Sequence, residues 1–151
     1  MEQMKVSPRL RRGWSISSAG RLIGRMRRST RQKEAAMHVE RVKYLIWAAD
    51  TERAVRFYET LFGAKIMRQN PAVTDLDICG ATIGIHSGGE GKRTWTGLSF
   101  QVANVVAGAA EVTAAGGILT HEPREENGEP PHLAMCADTE GNEFMLSRKR
   151  S

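Results

Sequence analysis

The sequence predicts an α+β domain of two tandem βαβββ half-domains, whose strands form a curved mixed sheet around a cleft with the helices on the outer face. Three observations predict it. Residues 41–87 and 94–148 each run strand, helix, strand, strand, strand. Gly88, Gly89 and Gly91 separate the two runs as a flexible linker. Each run supplies one helix and an open sheet, too little to bury its own apolar face, so the repeated units pair around a shared core.

The elements follow in order. Val42–Ala49 is an apolar strand ending at Asp50, a residue suited to cap a helix. Thr51–Phe62 carries Ala54, Val55, Tyr58, Leu61 and Phe62 at helical spacing, and Gly63 stops it. Strands Ala64–Gln69, Val73–Ile78 and Ala81–His86 follow, parted by turn signals at Asn70-Pro71 and Cys79-Gly80. In the second unit Thr94–Ala103 alternates as a strand, Asn104 caps a helix reaching Ala115, and Gly116-Gly117 ends it. Ile118–His121 is the next strand. A polar loop, Glu122–Pro131, leads to His132–Cys136, and the turn Asp138–Gly141 feeds the last strand, Asn142–Ser147. Period-2 alternation puts Tyr44, Ile46, Ile83, Ile85, Leu98, Phe100, Val102, Phe144 and Leu146 beneath the helices. Lys43, Leu45, Trp47, Gly84, His86, Gly97, Ser99, Gln101, Met145 and Ser147 then face the cleft.

The 151 residues amount to one domain, 40% hydrophobic and 26% charged, values ordinary for a globular chain. No apolar run approaches the roughly 18 residues of a membrane span. Cys79 and Cys136 both fall in segments read as strands; they cannot make a disulfide framework and read as reduced, buried thiols of a cytoplasmic protein. The net charge of +5 divides unevenly: residues 1–36 carry +8 and residues 37–151 carry −3. The pI of 9.6 therefore describes the N-terminal segment; no nucleic-acid partner is expected, and any such contact would fall to that basic arm alone. Residues 1–36 have no continuous apolar stretch of a secretory signal. Three readings stay open for them: a start assigned too early, with Met37 as the true one, an organellar leader, or a disordered basic arm with a short helix around 19–28.

The helix segment Asp50-Thr51-Glu52-Arg53-Ala54-Val55-Arg56-Phe57-Tyr58-Glu59-Thr60-Leu61-Phe62-Gly63, the pair Gly116-Gly117 after Ala114-Ala115, and the turn Asp138-Thr139-Glu140-Gly141-Asn142 occur in an order and spacing that carry a resemblance. Residues 41–148 resemble the vicinal oxygen chelate superfamily of glyoxalases, bleomycin-resistance proteins and extradiol dioxygenases. The resemblance implies the two-unit fold and, in the enzymes, a divalent metal held by His and Glu or Gln at cleft-facing positions of the first and last strand of each half. Those positions fall here on Lys43, on Gly84 (or His86 with the register shifted by two), on Gly97 and on Met145. An ammonium only donates and repels a cation, and one imidazole does not hold a catalytic metal. No metal, no cofactor and no catalytic residue are therefore expected.

What remains is a cleft lining suited to an organic ligand: Lys43, Trp47, His86, Ser99, Gln101 and Met145. Each also has a plain reading. Trp47 stacks on a ligand or fills a seam, and His86 contacts a ligand or only water. Lys43 pairs with an acidic ligand or a neighbouring carboxylate; Met145 adapts to a ligand or simply packs. Ser99 and Gln101 hydrogen-bond a ligand or meet solvent. His38 belongs to the lead-in. His121 and His132 flank the loop carrying Glu122, Glu125, Glu126 and Glu129, and no strand or helix spacing aligns these into a metal site. The expected function is binding of a small organic molecule without the metal, as in the bleomycin-resistance branch, by a homodimer with no membrane role. The alternatives are a lyase, isomerase or dioxygenase of the glyoxalase type with ligands relocated around His86, and a protein-interaction module. The linker Ser87–Lys92 leaves open whether the halves pair within or between chains.

Overall fold

The computed structural model describes residues 37–149, so the readings made for residues 1–36 lie outside the described residues. The elements are β1 (Tyr44–Ala48), α1 (Thr51–Phe62), β2 (Lys65–Gln69), β3 (Val73–Ile78), β4 (Ala81–Ser87), β5 (Thr94–Gln101), α2 (Val105–Ala114), β6 (Ile118–His121), β7 (Leu133–Ala137) and β8 (Asn142–Ser147). The hydrogen bonds divide them into two four-stranded mixed sheets, ordered β1-β4-β3-β2 and β5-β8-β7-β6. Each sheet has one parallel pair, β1 with β4 and β5 with β8, and antiparallel pairs elsewhere. The strands thus form two matching sheets, not one continuous ladder.

Local chemistry explains why the helices sit where they do. The Asp50 side chain accepts from the Arg53 amide at 3.0 Å, opening α1, and Gly63 closes it at φ +61°, a conformation with no penalty for glycine. Asn104 caps α2 in the same way, accepting from the Ala107 amide. Each helix lays its apolar stripe on its own sheet, and α1 also reaches the second one. Phe62 stacks on Phe100 with ring centroids 4.1 Å apart, and both Phe57 and Phe62 touch Phe144. One core therefore runs through both units, with Ile46, Tyr58, Leu76 and Ile85 from the first and Val105, Val112, Phe144 and Leu146 from the second. Burying each such side chain stabilises the fold by about 1.5–3 kcal/mol.

A polar network fastens the same junction. The Asp138 carboxylate accepts from the Glu140 and Asn142 amides, both at 2.8 Å, from Asn142 Nδ2 at 2.9 Å and from the Tyr58 hydroxyl at 3.0 Å. Glu140, whose side chain is wholly buried, accepts from the amides of Ala49 and Asp50 and from Arg53 Nε. Asn142 Nδ2 also donates to the Trp47 carbonyl. The turn Asp138–Asn142 is thus the clamp between the β1–α1 corner and the second sheet.

Two expectations need correction. Cys79 is not a buried strand thiol: it is exposed, in the two-residue turn between β3 and β4, at φ +51° beside Gly80 at +83°. Two consecutive positive φ values are what a tight hairpin turn requires, and they end the strand at Ile78. Cys136 is buried as expected. Tyr44 is not core either. It is 40% exposed, and its hydroxyl donates to the Thr96 carbonyl across the gap between β1 and β5.

Candidate ligand-binding cleft

Away from the helices, the first sheet presents Lys43 just ahead of β1, then Leu45 and Trp47. Beside them stand Gly84 and His86, registered against Leu45 and Trp47, and then Val73 and Asp75 registered against His86 and Gly84. Lys43 Nζ donates to Asp75 Oδ1 at 3.0 Å, and Asp75 is almost wholly buried. The Trp47 and His86 rings lie 4.4 Å apart, tilted by 41°, with half of Trp47 exposed. His86 Nδ1 stands 2.7 Å from the Ser87 carbonyl, which only accepts; Nδ1 therefore carries the proton in the neutral ring and Nε2 is the acceptor. The second sheet presents Ser99 and Gln101, registered against Met145 and Ser147, with Met135 opposite Met145. Ser99 Oγ and Ser147 Oγ are 3.3 Å apart.

Of the four positions where the resemblance puts the superfamily's metal ligands, two are glycines that a side chain would occupy only with some adjustment. A Cβ on Gly84 would lie 2.6 Å from Leu45 Cδ2 and 3.0 Å from Asp75 Oδ1. Gly97 occupies the irregular step between Trp95 and Leu98 at φ +73°, where any side chain is strained. Among the described residues no three His, Cys, Asp or Glu side chains converge as ligands of a metal ion would.

The six candidate residues do not form one cluster. Lys43, Ser99 and Gln101 line a cavity of 520 Å³ at the seam between the sheets, together with Tyr44, Phe62, Cys79, Thr82 and Phe100. Trp47 and His86 stack on each other, and Trp47 lines a separate 240 Å³ recess with the glycine linker, Glu140 and Asn142. Met145 lies beside Ser99 on the second sheet. The loop side chains His121, Glu122, Glu126 and His132, which no spacing aligned, come together around a third cavity of 490 Å³ floored by Leu133 and Met135. His132 Nδ1 there stands 3.6 Å from Glu126 Oε2. Asp75 was missed in the sequence, although its alternation with Val73 and Asp77, opposite Thr74, Leu76 and Ile78, marks the cleft face. Phe62 and Phe100 have the spacing of core residues, and nothing in that spacing shows that they line an opening.

Comparison with known proteins decides the family. The family model of the glyoxalase-like domain matches residues 43–147. The chain belongs to the glyoxalase-like family. Its fold is shared with the fosfomycin resistance protein FosX from Listeria monocytogenes, at 20% identity and a TM-score of 0.63 over 76% of this chain and 96% of that one. A glyoxalase/bleomycin resistance protein/dioxygenase family enzyme from Burkholderia phytofirmans PsJN matches at 21% identity and 0.55, over 69% and 94%. A glyoxalase-related enzyme from Fulvimarina pelagi matches at 18% and 0.57, over 74% and 89%. Among curated proteins none matches the chain. Within this glyoxalase-like domain, no described helix is long and apolar enough to cross a membrane.

Proposed function

We propose that this glyoxalase-like protein binds a small organic molecule between its sheets without a divalent metal and catalyses no metal-assisted reaction. The observation that carries the reading is the donor set. Lys43, Gly84, Gly97 and Met145 offer a cation, two hydrogens and a thioether where a divalent ion needs imidazole and carboxylate, and the set does not fit one. The Lys43 ammonium is paired instead with the buried Asp75 carboxylate. The reading places the protein in the cytoplasm as a homodimer, supported by Leu45, Trp47, Met67 and Leu133, large apolar side chains left exposed on the monomer. A point mutant of FosX has been crystallised with Mn(II) and 1S,2S-dihydroxypropylphosphonic acid, and that neighbour is the reason to test the enzyme reading directly. The experiment is metal analysis of the purified full chain with a thermal-shift titration against Mn, Fe(II), Ni and Zn. Absence of bound metal and of any shift is expected. Near-stoichiometric metal, or a clear rise in Tm, would overturn the proposal in favour of an enzyme with relocated ligands around His86.

A further inference from the structure

We infer that the seam cavity between the two sheets takes an amphipathic organic anion, with its apolar body on Phe62 and Phe100 and its anionic head on Lys43 Nζ. The inference rests on the binding-protein reading and gives it a ligand class. At 520 Å³ the cavity has the size of a small-molecule site, for which roughly 300–1,000 Å³ is usual. Its lining is mostly apolar: the stacked rings of Phe62 and Phe100 form the floor, with Ile78, Ile83, Leu98 and Val102 around them. Lys43 is the one charged residue among those that line it. The ammonium gives one of its three donors to Asp75, which lies outside the lining, so two donors remain for a carboxylate or similar head. Thr82, Ser99 and Gln101 add neutral polar atoms to the lining. A ligand with a negative end and an apolar body therefore meets complementary groups, whereas a cation meets only Lys43.

Cys79 makes the test possible on the native protein. Its exposed thiol lines this cavity, while Cys136, the chain's other cysteine, is buried with its pKa pushed up to about 11. Neutral iodoacetamide followed by mass spectrometry thus reads Cys79 alone. The probes are 4-phenylbutyrate and its uncharged twin 4-phenylbutyramide. At about twice its Kd the carboxylate should leave about a third of the cavities free and slow alkylation about threefold. The amide should need an about tenfold higher concentration, because a charge-assisted hydrogen bond is lost. In the double variant Lys43→Met, Asp75→Asn, which leaves no carboxylate buried alone, the two probes should protect equally.

Equal protection in the native chain would overturn the assignment of the anionic head to Lys43. Protection absent while either probe raises Tm would place the ligand elsewhere in the cleft, sinking the seam site but not the binding-protein reading. Neither protection nor a Tm rise would remove both for this class of molecule. A Cys79 that resists iodoacetamide before any probe is added would show the cavity closed in the assembled protein and also end the proposal.

Discussion

Tyr58→Phe tests whether the Asp138 network clamps the two half-domains. Tyr58 is fully buried, and its ring packs on Phe57 and Phe62. Phenylalanine keeps those contacts and removes one hydroxyl, so the change isolates a single hydrogen bond at 3.0 Å to Asp138 Oδ2. A bond to a charged acceptor is worth about 1.5–3 kcal/mol, a sizeable part of the roughly 5–15 kcal/mol that holds a domain folded. Burial pushes the Asp138 carboxyl above its ordinary value of 3.8, and the Tyr58 hydroxyl is among the groups that pull it back down. The Tyr58 phenol is itself held well above 10 by burial and by Asp138, so it stays neutral throughout. A carboxyl raised in the folded state binds its proton more tightly there; its contribution to stability is present below 3.8 and is lost as pH rises through the folded value. Removing the hydroxyl lifts that value further and steepens the loss. Urea unfolding at pH 7 should therefore show a cost of about 1.5–3 kcal/mol with an unchanged m-value. Below pH 3.8, where the raised carboxyl is mostly protonated and the bond becomes neutral to neutral, the cost should shrink to about 0.5–1.5 kcal/mol. A cost under about 0.5 kcal/mol at pH 7, or one that does not fall with pH, would refute the clamp.

Three further outcomes are expected. Thr74 Oγ1 is buried with no hydrogen-bond partner among the described residues, so Thr74→Val should raise the urea midpoint and stabilise the domain by about 1 kcal/mol. Cys79→Asn places a residue tolerant of the left-handed region at φ +51°; calorimetry should show a gain of about 1 kcal/mol, and the variant should lose its alkylation. Phe144 is wholly buried against Phe57, Phe62 and Phe100, so Phe144→Ala should cost about 3–5 kcal/mol on denaturant unfolding, and a loss under about 1 kcal/mol would deny the shared core.

Much of the fold was legible because its local signals agree. Asp50 and Gly63 bracket α1, whose bounds match the spacing of its apolar residues. Strands β3, β6 and β8 begin and end where the alternation and turn residues place them. The misreadings lie where a distant contact outweighs the pattern. Tyr44 alternates as a core residue, yet its hydroxyl finds the Thr96 carbonyl across the seam and leaves the ring half exposed. Cys79 falls at the turn its pairing with Gly80 marks, and its apolar character alone suggested burial that the turn does not give it. Val42 and Lys43 continue the apolar stretch of β1, but the ladder with β4 begins at Tyr44 opposite Ile83.

The candidate site was harder to read because it belongs to no single strand. Alternation puts Lys43 on the cleft face but cannot say what it meets, since Asp75 reaches it from β3, two strands away in the sheet. That contact depends on Gly84, the residue between them: the absent side chain leaves the space now shared by Leu45 and the Asp75 carboxylate. A side chain at position 84 would therefore have to turn the ends of the Leu45 and Asp75 side chains aside. At position 97 the left-handed backbone would strain a side chain in the second half. The chain keeps the glyoxalase-like scaffold, clamped by Asp138, Glu140 and Asn142. If the proposed reading holds, replacing Lys43 alone does not build a metal site: a side chain at position 84 must displace the ends of Leu45 and Asp75, and one at position 97 strains the backbone beside the irregular step of β5.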